Sequence, residues 1–418
     1  MAVDTYDLGG VADKEMRLFD EIAKEHHWPA LVFVSAPDRA NRLASRAAGL
    51  MKISDSSANF AQWLSENIGP SSPLVQTVRS GFGVHHGRLP RAIASQMVRM
   101  FNQNALPVLF CTSTLIEGVN TAAKTVLIFD KTINREDYDF FTYSNIKGRA
   151  GRLGEHHVGQ VYLFNAPPEH EPTEVAPTLF GDQDDAPDDY VVHLEEQEVT
   201  EKVDTRVARL KMALGLDADG LRLAASIRLE YALELKQAVS RALSKSDDLL
   251  WAGLPTYSQI RAVVDVICSV RRPGEFGAFT ASQLTYFIHD LRRALSMQIF
   301  LLAYGDKYNG KPETHDTIFK FLRACEYGLP QHFAVVEKFV KQHVSTADYS
   351  LFIESISHWF KPEELKNLDE EGVPIQISER FYQGENREQF VNKLILHARD
   401  GSQNLTPFER MWILTALE

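Results

Sequence analysis

The sequence predicts an α/β fold for residues 1–165, an open and mostly parallel sheet, followed by a mainly α-helical region. Three observations predict it. Short continuous apolar runs at 30–35 (ALVFVS), 107–111 (PVLFC), 125–129 (TVLIF) and 159–164 (GQVYLF) read as strands buried on both faces. The stretches between them carry charged, helix-periodic patterns. Past residue 200 such strands stop, and apolar residues recur at helical spacing.

Taken in order, 13–27 reads as a helix whose apolar face is Met16, Leu18, Phe19, Ile22 and Ala23, and Trp28-Pro29 ends it. Residues 38–50 read as a second helix. Residues 51–80 are mixed, with a break at 69–73 (GPSSP). GFGVHHG follows at 81–87, and Leu89-Pro90 opens a helix that runs through Phe101. The strand at 107–111 runs into Thr112–Asn120, which an open α/β sheet places at the carboxyl edge where ligands bind. Residues 166–200 hold five prolines and eleven acids, and read as an acidic, Pro-rich linker. In the helical region 201–418, Leu223, Ile227, Tyr231, Leu235 and Val239 form a stripe every four residues. Thr280 heads a Thr-x-x-Gln cap. Thr406-Pro407-Phe408-Glu409 places a capping Thr, a first-position Pro and a third-position Glu before the last helix.

Composition narrows the function classes. At 418 residues, with 44% hydrophobic and 24% charged residues, the chain is of ordinary globular make-up. No apolar run approaches the ~20 residues of a membrane span, and MAVDTYDLGG lacks the basic-then-apolar pattern of a signal peptide. Cys111, Cys268 and Cys325 are odd in number and far apart, which points to neither a disulfide framework nor a metal site. A cytoplasmic protein without a metal centre or membrane partner is expected. The net charge of −12 is concentrated: residues 166–200 carry −11, while 1–165 carry +1 and 201–418 carry −2. A local basic groove for a nucleic acid therefore remains open.

The chemistry-bearing stretch is SNIKGRAGR, 144–152. In a helix, Arg149 and Arg152 would share a face, and paired guanidinium forks suit a polyphosphate. Gly148 and Gly151 let a ligand or another backbone approach. The plain alternative is a glycine-arginine turn on a basic surface. The adjacent pairs His26-His27, His85-His86 and His156-His157 lack metal-ligand spacing and read as packing or surface residues. Cys111 reads as a core thiol, and Arg271-Arg272 and Arg292-Arg293 as solvated helix faces, with the lining of a nucleic-acid channel as the alternative.

Three segments in order, GFGVHHGRLPR (81–91), VLFCTSTLIEGVNTAAKTVLIFDK (108–131) and NIKGRAGRLGEHHVGQVYLF (145–164), resemble motifs IVa, V and VI of superfamily 2 helicases. The resemblance is closest to the superkiller-type (Ski-like) DExH branch, and ALVFVSAPDRA (30–40) is similar to motif IV. It implies that 1–165 is the second RecA-like lobe of an ATP-dependent helicase. It implies that Thr112 and Ser113, with Ser35 and His85, contact the backbone of an RNA or DNA strand. Gly118, Asn120, Asn145 and Gly148 would face the nucleotide, and Arg149 and Arg152 would act as arginine fingers at its γ-phosphate. The family's usual Gln is Asn145 here, with a shorter reach. ATP and Mg²⁺ would be bound mainly by a first RecA-like lobe. No Gly-x-x-x-x-Gly-Lys loop ending in Ser or Thr occurs in this sequence. Asn309-Gly310-Lys311-Pro312 lacks its leading glycine and hydroxyl, and Asp369-Glu370-Glu371-Gly372 follows a charged helical stretch instead of an apolar strand. The expectation is a chain that begins after the first lobe and borrows it from another chain or lacks it. Residues 201–418 are expected, by family analogy alone, to form winged-helix and helical-bundle accessory domains. The alternative is a non-catalytic, helicase-derived module that binds nucleic acid or regulates a partner. A third reading, a metabolic Rossmann-type enzyme, is disfavoured, since no Gly-x-Gly-x-x-Gly follows the first strand.

Overall fold

A computed structural model describes residues 2–53, 57–118, 121, 123–133, 136–151, 158–169, 183–195, 197–307, 312–401 and 403–418. Eight strands occur among them: β1 (Ala2–Asp7), β2 (Ala30–Phe33), β3 (Phe82–His85), β4 (Val108–Cys111), β5 (Thr125–Ile128), β6 (Thr132–Ile133), β7 (Glu136–Asp137) and β8 (Val158–Leu163). Six of these form one parallel sheet in the order β1-β8-β5-β2-β4-β3, and β6 and β7 make a short antiparallel hairpin. The register aligns Phe33 with both Cys111 and Ile128, and Cys111 with His85, so four strands end level along one edge.

The four apolar runs become β2, β4, β5 and β8, each within a residue or two of the expected bounds. Ala30, Leu31, Val32 and Phe33 are all fully buried, because helices cover both faces of a central parallel strand. The interleaved helices are α1 (Lys14–Ile22), α2 (Pro37–Leu50), α3 (Ala58–Asn67), α4 (Pro73–Arg79), α5 (Arg91–Asn102), α6 (Ser113–Gly118) and α7 (Phe140–Lys147). The expected first helix is shorter than 13–27 and yields to a 3-10 turn at Glu25–His27.

The chain divides into two compact units. The first holds residues 1–173, 295–319 and 363–418, so the last helices belong with the sheet. Trp412, on the helix Pro407–Leu417, is fully buried against Phe60 and Trp63 of α3, with ring centroids 5.6 and 4.8 Å away. Its indole N–H donates to the Gly372 carbonyl at 2.8 Å. Glu409 is 3% exposed and accepts from the Trp63 indole at 3.1 Å and from Arg380 at 2.6 Å. The same carboxylate closes the expected capping box with Thr406. Helix signal and tertiary anchor are therefore one residue. Asp369, Glu370 and Glu371 lie in the helix Glu363–Glu371, as the charged pattern indicates, while 309–311 of the other false motif lie outside the described residues.

The second unit holds residues 174–294 and 320–362, helical among its described residues. The stripe from Leu223 to Val239 is two helices, Ala218–Ala225 and Leu229–Leu243. Arg228 at φ 70° breaks them apart, and Ile227 is buried in the corner. The linker also departs from expectation over 183–195 and 197–200. Its residues Asp188–Val191 form a short helix with Val191 and Val192 buried. Its acids find partners: Asp188 pairs with Arg206 at 2.7 Å, and Asp189 accepts the Leu229 N–H at 2.8 Å. Residues 170–182 lie outside the described residues. Arg271 lies 4.1 Å over the Tyr231 ring and pairs with Glu275, and Arg292 donates to the Pro255 carbonyl at 2.6 Å. No described helix is long and apolar enough to cross a membrane.

Candidate functional site

Successive parallel strands deliver the expected strand-contact residues to the carboxyl edge. β2 ends before Ser35, β3 ends at His85, and β4 is followed by Thr112 and Ser113, which opens α6. The Thr112 N–H donates to the His85 carbonyl at 3.2 Å, joining two of these ends. The Thr112 hydroxyl is 3.2 Å from that of Thr114, and the residue is 5% exposed. On the neighbouring strand, Asp130 follows β5 and takes the Ser35 N–H at 2.9 Å.

Two buried histidines shape the turn after β3. His86 is held by Asn41 of α2 at 3.2 Å and accepts the Arg88 N–H at 3.3 Å. Arg88 in turn grips Asp38 of α2 through two nitrogens, at 2.6 and 3.4 Å. His85 Nδ1 is buried with no hydrogen-bond partner among the described residues. Burial first, then the Arg91 charge, pushes His85 down to about 4. Burial, then Arg88, pushes His86 down to about 3. Both rings are neutral near pH 7.

This neutrality has a stability consequence. Unfolded histidine protonates near 6.5, so below that pH the unfolded chain binds more protons than the folded one. Stability is lost as pH falls from 6.5 towards 4. At pH 5 each histidine is expected to cost about 2 kcal/mol. His86→Gln should flatten the pH dependence of the urea-unfolding free energy over this range. A slope equal to wild type would mean that His86 is not a buried neutral ring.

The GRAGR segment follows α7. Asn145 is exposed on that helix, Gly148 is its exposed C-cap, and Arg149 is half-buried. The Arg149 charge is felt at Cys111 on the end of β4, where it partly opposes the burial that raises the thiol pKa. Backbone pairing fixes the segment. Ala150 bridges to Ala123, and the Gly151 N–H donates to the Ala123 carbonyl at 2.7 Å with Gly151 at φ 81°. Gly159 of β8 backs it so closely that a Cβ would lie 2.5 Å from the Ala150 oxygen. Both glycines are thus required by geometry. Gly118 closes α6, while Asn120 and Arg152 lie outside the described residues. Cys111 is a fully buried core thiol, as expected. Among the described residues no cluster of three His, Cys, Asp or Glu side chains is arranged for a metal.

Sequence reasoning missed Asp130 and Arg39. Arg39, in the first turn of α2, pairs with Asp130 at 2.7 Å and lies 5.1 Å from the Phe129 ring centroid. An acid closing an apolar strand run was the available signal.

Comparison with known proteins agrees with this geometry. Residues 64–154 match the helicase conserved C-terminal domain. "Anti-bacteriophage protein B" of Escherichia coli (strain K12) is 24% identical over 404 residues, which cover 91% of this chain and 55% of that protein. "ATP-dependent DNA helicase Hel308" of Pyrobaculum calidifontis is 29% identical over 146 residues, 32% of this chain and 21% of its own length. "DExH-box ATP-dependent RNA helicase DExH14" of Arabidopsis thaliana is 29% identical over 151 residues, 32% of this chain and 7% of its own. The chain thus spans about half the length of the Escherichia coli protein and smaller shares of the other two. A six-stranded parallel sheet and a matching domain over 64–154 support a superfamily 2 helicase C-terminal lobe in this part of the chain.

Proposed function

We propose that this chain is the second-lobe half of an ATP-dependent helicase of the Ski-like DExH branch, working in the cytoplasm on an RNA or DNA strand. Thr112, Ser113, His85 and Ser35 hold the strand by its backbone, which positions it without reading sequence. Asn145, Gly148, Gly118 and Asn120 face the nucleotide. Arg149 and Arg152 reach a γ-phosphate held by a first RecA-like lobe, supplied by another polypeptide or by another segment of the protein. The observation that carries the reading is co-placement. Ser35, His85 and Thr112 stand at neighbouring strand ends.

The residues fit a triphosphate presented from outside this lobe, since Asn145 and Gly148 are exposed and Arg149 is half-exposed. When bound, ATP with Mg²⁺ supplies the phosphoryl group and most of its charge neutralisation. The chain's own share is to fix two guanidinium forks and to hold the strand. Purified alone, the protein is expected to show no metal-dependent ATP turnover with or without nucleic acid. Robust turnover that Arg149→Ala abolishes would place a complete nucleotide site within this chain.

A match over 91% of this chain to a protein named for action against bacteriophage supports that biological setting. Deleting the protein from its host should raise phage plating efficiency. Unchanged plating across a broad phage panel would remove the setting and leave the biochemical reading intact.

A further inference from the structure

Arg149 stands between two points that the backbone holds. On one side, the Gly148, Arg149 and Ala150 N–H groups donate back to carbonyls of α7 at 2.8, 3.1 and 3.1 Å. On the other, the Gly151 N–H donates to the Ala123 carbonyl at 2.7 Å. The peptide unit that joins Ala150 to Gly151 then lies directly on Gly159 of β8. A Cβ at Gly159 would meet three backbone atoms there: the Ala150 oxygen at 2.5 Å, the Ala150 carbonyl carbon at 2.6 Å and the Gly151 nitrogen at 2.9 Å. No side chain can swing aside to relieve such a contact, so any larger residue at 159 must move main chain.

Which main chain moves is decided by how each partner is held. β8 lies between β1 and β5 and pairs with both, with Val3 opposite Gly159 and Thr125 opposite Gln160. The Gln160 N–H also donates to the Lys124 carbonyl at 3.0 Å. A strand paired on both sides resists displacement more than a turn pinned by the Gly151–Ala123 bond. The peptide next to Arg149 is therefore the part that yields. Restoring an ordinary carbon–oxygen contact of about 3.3 Å would push it back by about 0.8 Å.

We infer that Gly159 is a positioning residue for Arg149. The bare backbone of β8 lets the Ala150–Gly151 peptide seat against the sheet, and the depth of that seat sets where the guanidinium points. Gly159 acts only through this peptide and contributes no group to the reaction. A misplacement of about 1 Å is enough to cost about 10²-fold in rate, because the reacting geometry tolerates little error. The inference rests on the arginine-finger reading above and adds to it the residue that aims the finger.

The test has two arms. In the full chain alone, hydrogen exchange is followed by mass spectrometry. Gly159→Ala should speed exchange in the peptide ending at Gly151 about tenfold and leave β4 and β5 unchanged, where a general loss of stability would speed all three. In the chain supplied with a nucleotide-binding first lobe, ATP and Mg²⁺, Gly159→Ala should lower kcat about 10²-fold. The KM for ATP and the strand affinity should stay within about twofold of wild type. The double variant with Arg149→Ala should be no slower than Arg149→Ala alone, since misaiming an absent side chain costs nothing. Gly151→Ala strains the same peptide by another route, at φ 81°, and should show the same kcat loss and the same lack of additivity. It carries the test if Gly159→Ala does not fold. Val161→Ala, fully buried two residues along β8, should lower the unfolding free energy and leave kcat unchanged. Unchanged kcat or unchanged exchange at Gly151 in a folded Gly159→Ala, or losses that multiply in the double variant, overturns the positioning role while the Arg149→Ala loss stands. If Arg149→Ala turns over like wild type, the arginine-finger reading falls, and this inference with it.

Discussion

Replacing Arg149 by alanine, in a preparation supplied with a nucleotide-binding first lobe, is expected to lower ATP turnover by about 10³-fold or more. A guanidinium aimed at the γ-phosphate acts on charge that develops in the transition state, so the loss should appear in kcat with little change in strand affinity. Arg149→Lys should not restore the rate, because a point charge lacks the planar fork. Phosphate release and strand anisotropy measured on the same protein check both parts. The local structure favours a clean result. Arg149 is only half-buried, and the segment's course is held by the Ala123 pairing and by Gly159.

Trp412→Ala should produce the largest loss of stability, about 3–5 kcal/mol for a fully buried tryptophan. The ring fills the space between α3 and the last helix against Phe60, Trp63 and Phe408. Its removal also leaves the Gly372 carbonyl without its donor. Urea unfolding followed by circular dichroism would measure it. A cost below about 1 kcal/mol would show that the terminal helix is not an integral part of the lobe. A Trp412→Phe variant should recover most of the packing but not the hydrogen bond.

The central strands were legible because burial on both faces of a parallel sheet leaves an apolar run with no alternation. β2, β4, β5 and β8 all show it. β1 was not legible: Ala2–Asp7 is a largely exposed edge strand, and its Asp4 and Asp7 leave no continuous apolar run. β3 was hidden by Gly83, which strand propensity disfavours. A Cβ there would lie 2.7 Å from the Leu109 side chain, so packing requires the glycine. The caps at Thr280 and Thr406 were readable because their hydrogen bonds are local in sequence.

Which helices return to the sheet unit was not readable. That choice depends on contacts such as Trp63 with Glu409, which lie 346 residues apart. The same limit applies at the candidate site. Motif order located Ser35, His85 and Thr112, and the register then placed them together. The Asp130–Arg39 pair joins an element after β5 to one after β2, and no spacing rule announces it. The acidic linker misled for a related reason. Eleven acids suggest a solvated chain, yet Arg206 and the Leu229 N–H supply partners for two of them from distant helices.

The most direct test of the account compares Arg149→Ala with Thr112→Ala in the reconstituted enzyme, reading strand affinity and ATP turnover together. The account predicts a division of labour. Arg149→Ala should lose turnover and keep the strand. Thr112→Ala should weaken strand binding and strand-stimulated turnover alike across sequences, with basal turnover less affected. If Arg149→Ala instead abolished strand binding and left turnover unchanged, GRAGR would be a nucleic-acid clamp, and the chain a binding module without a part in hydrolysis.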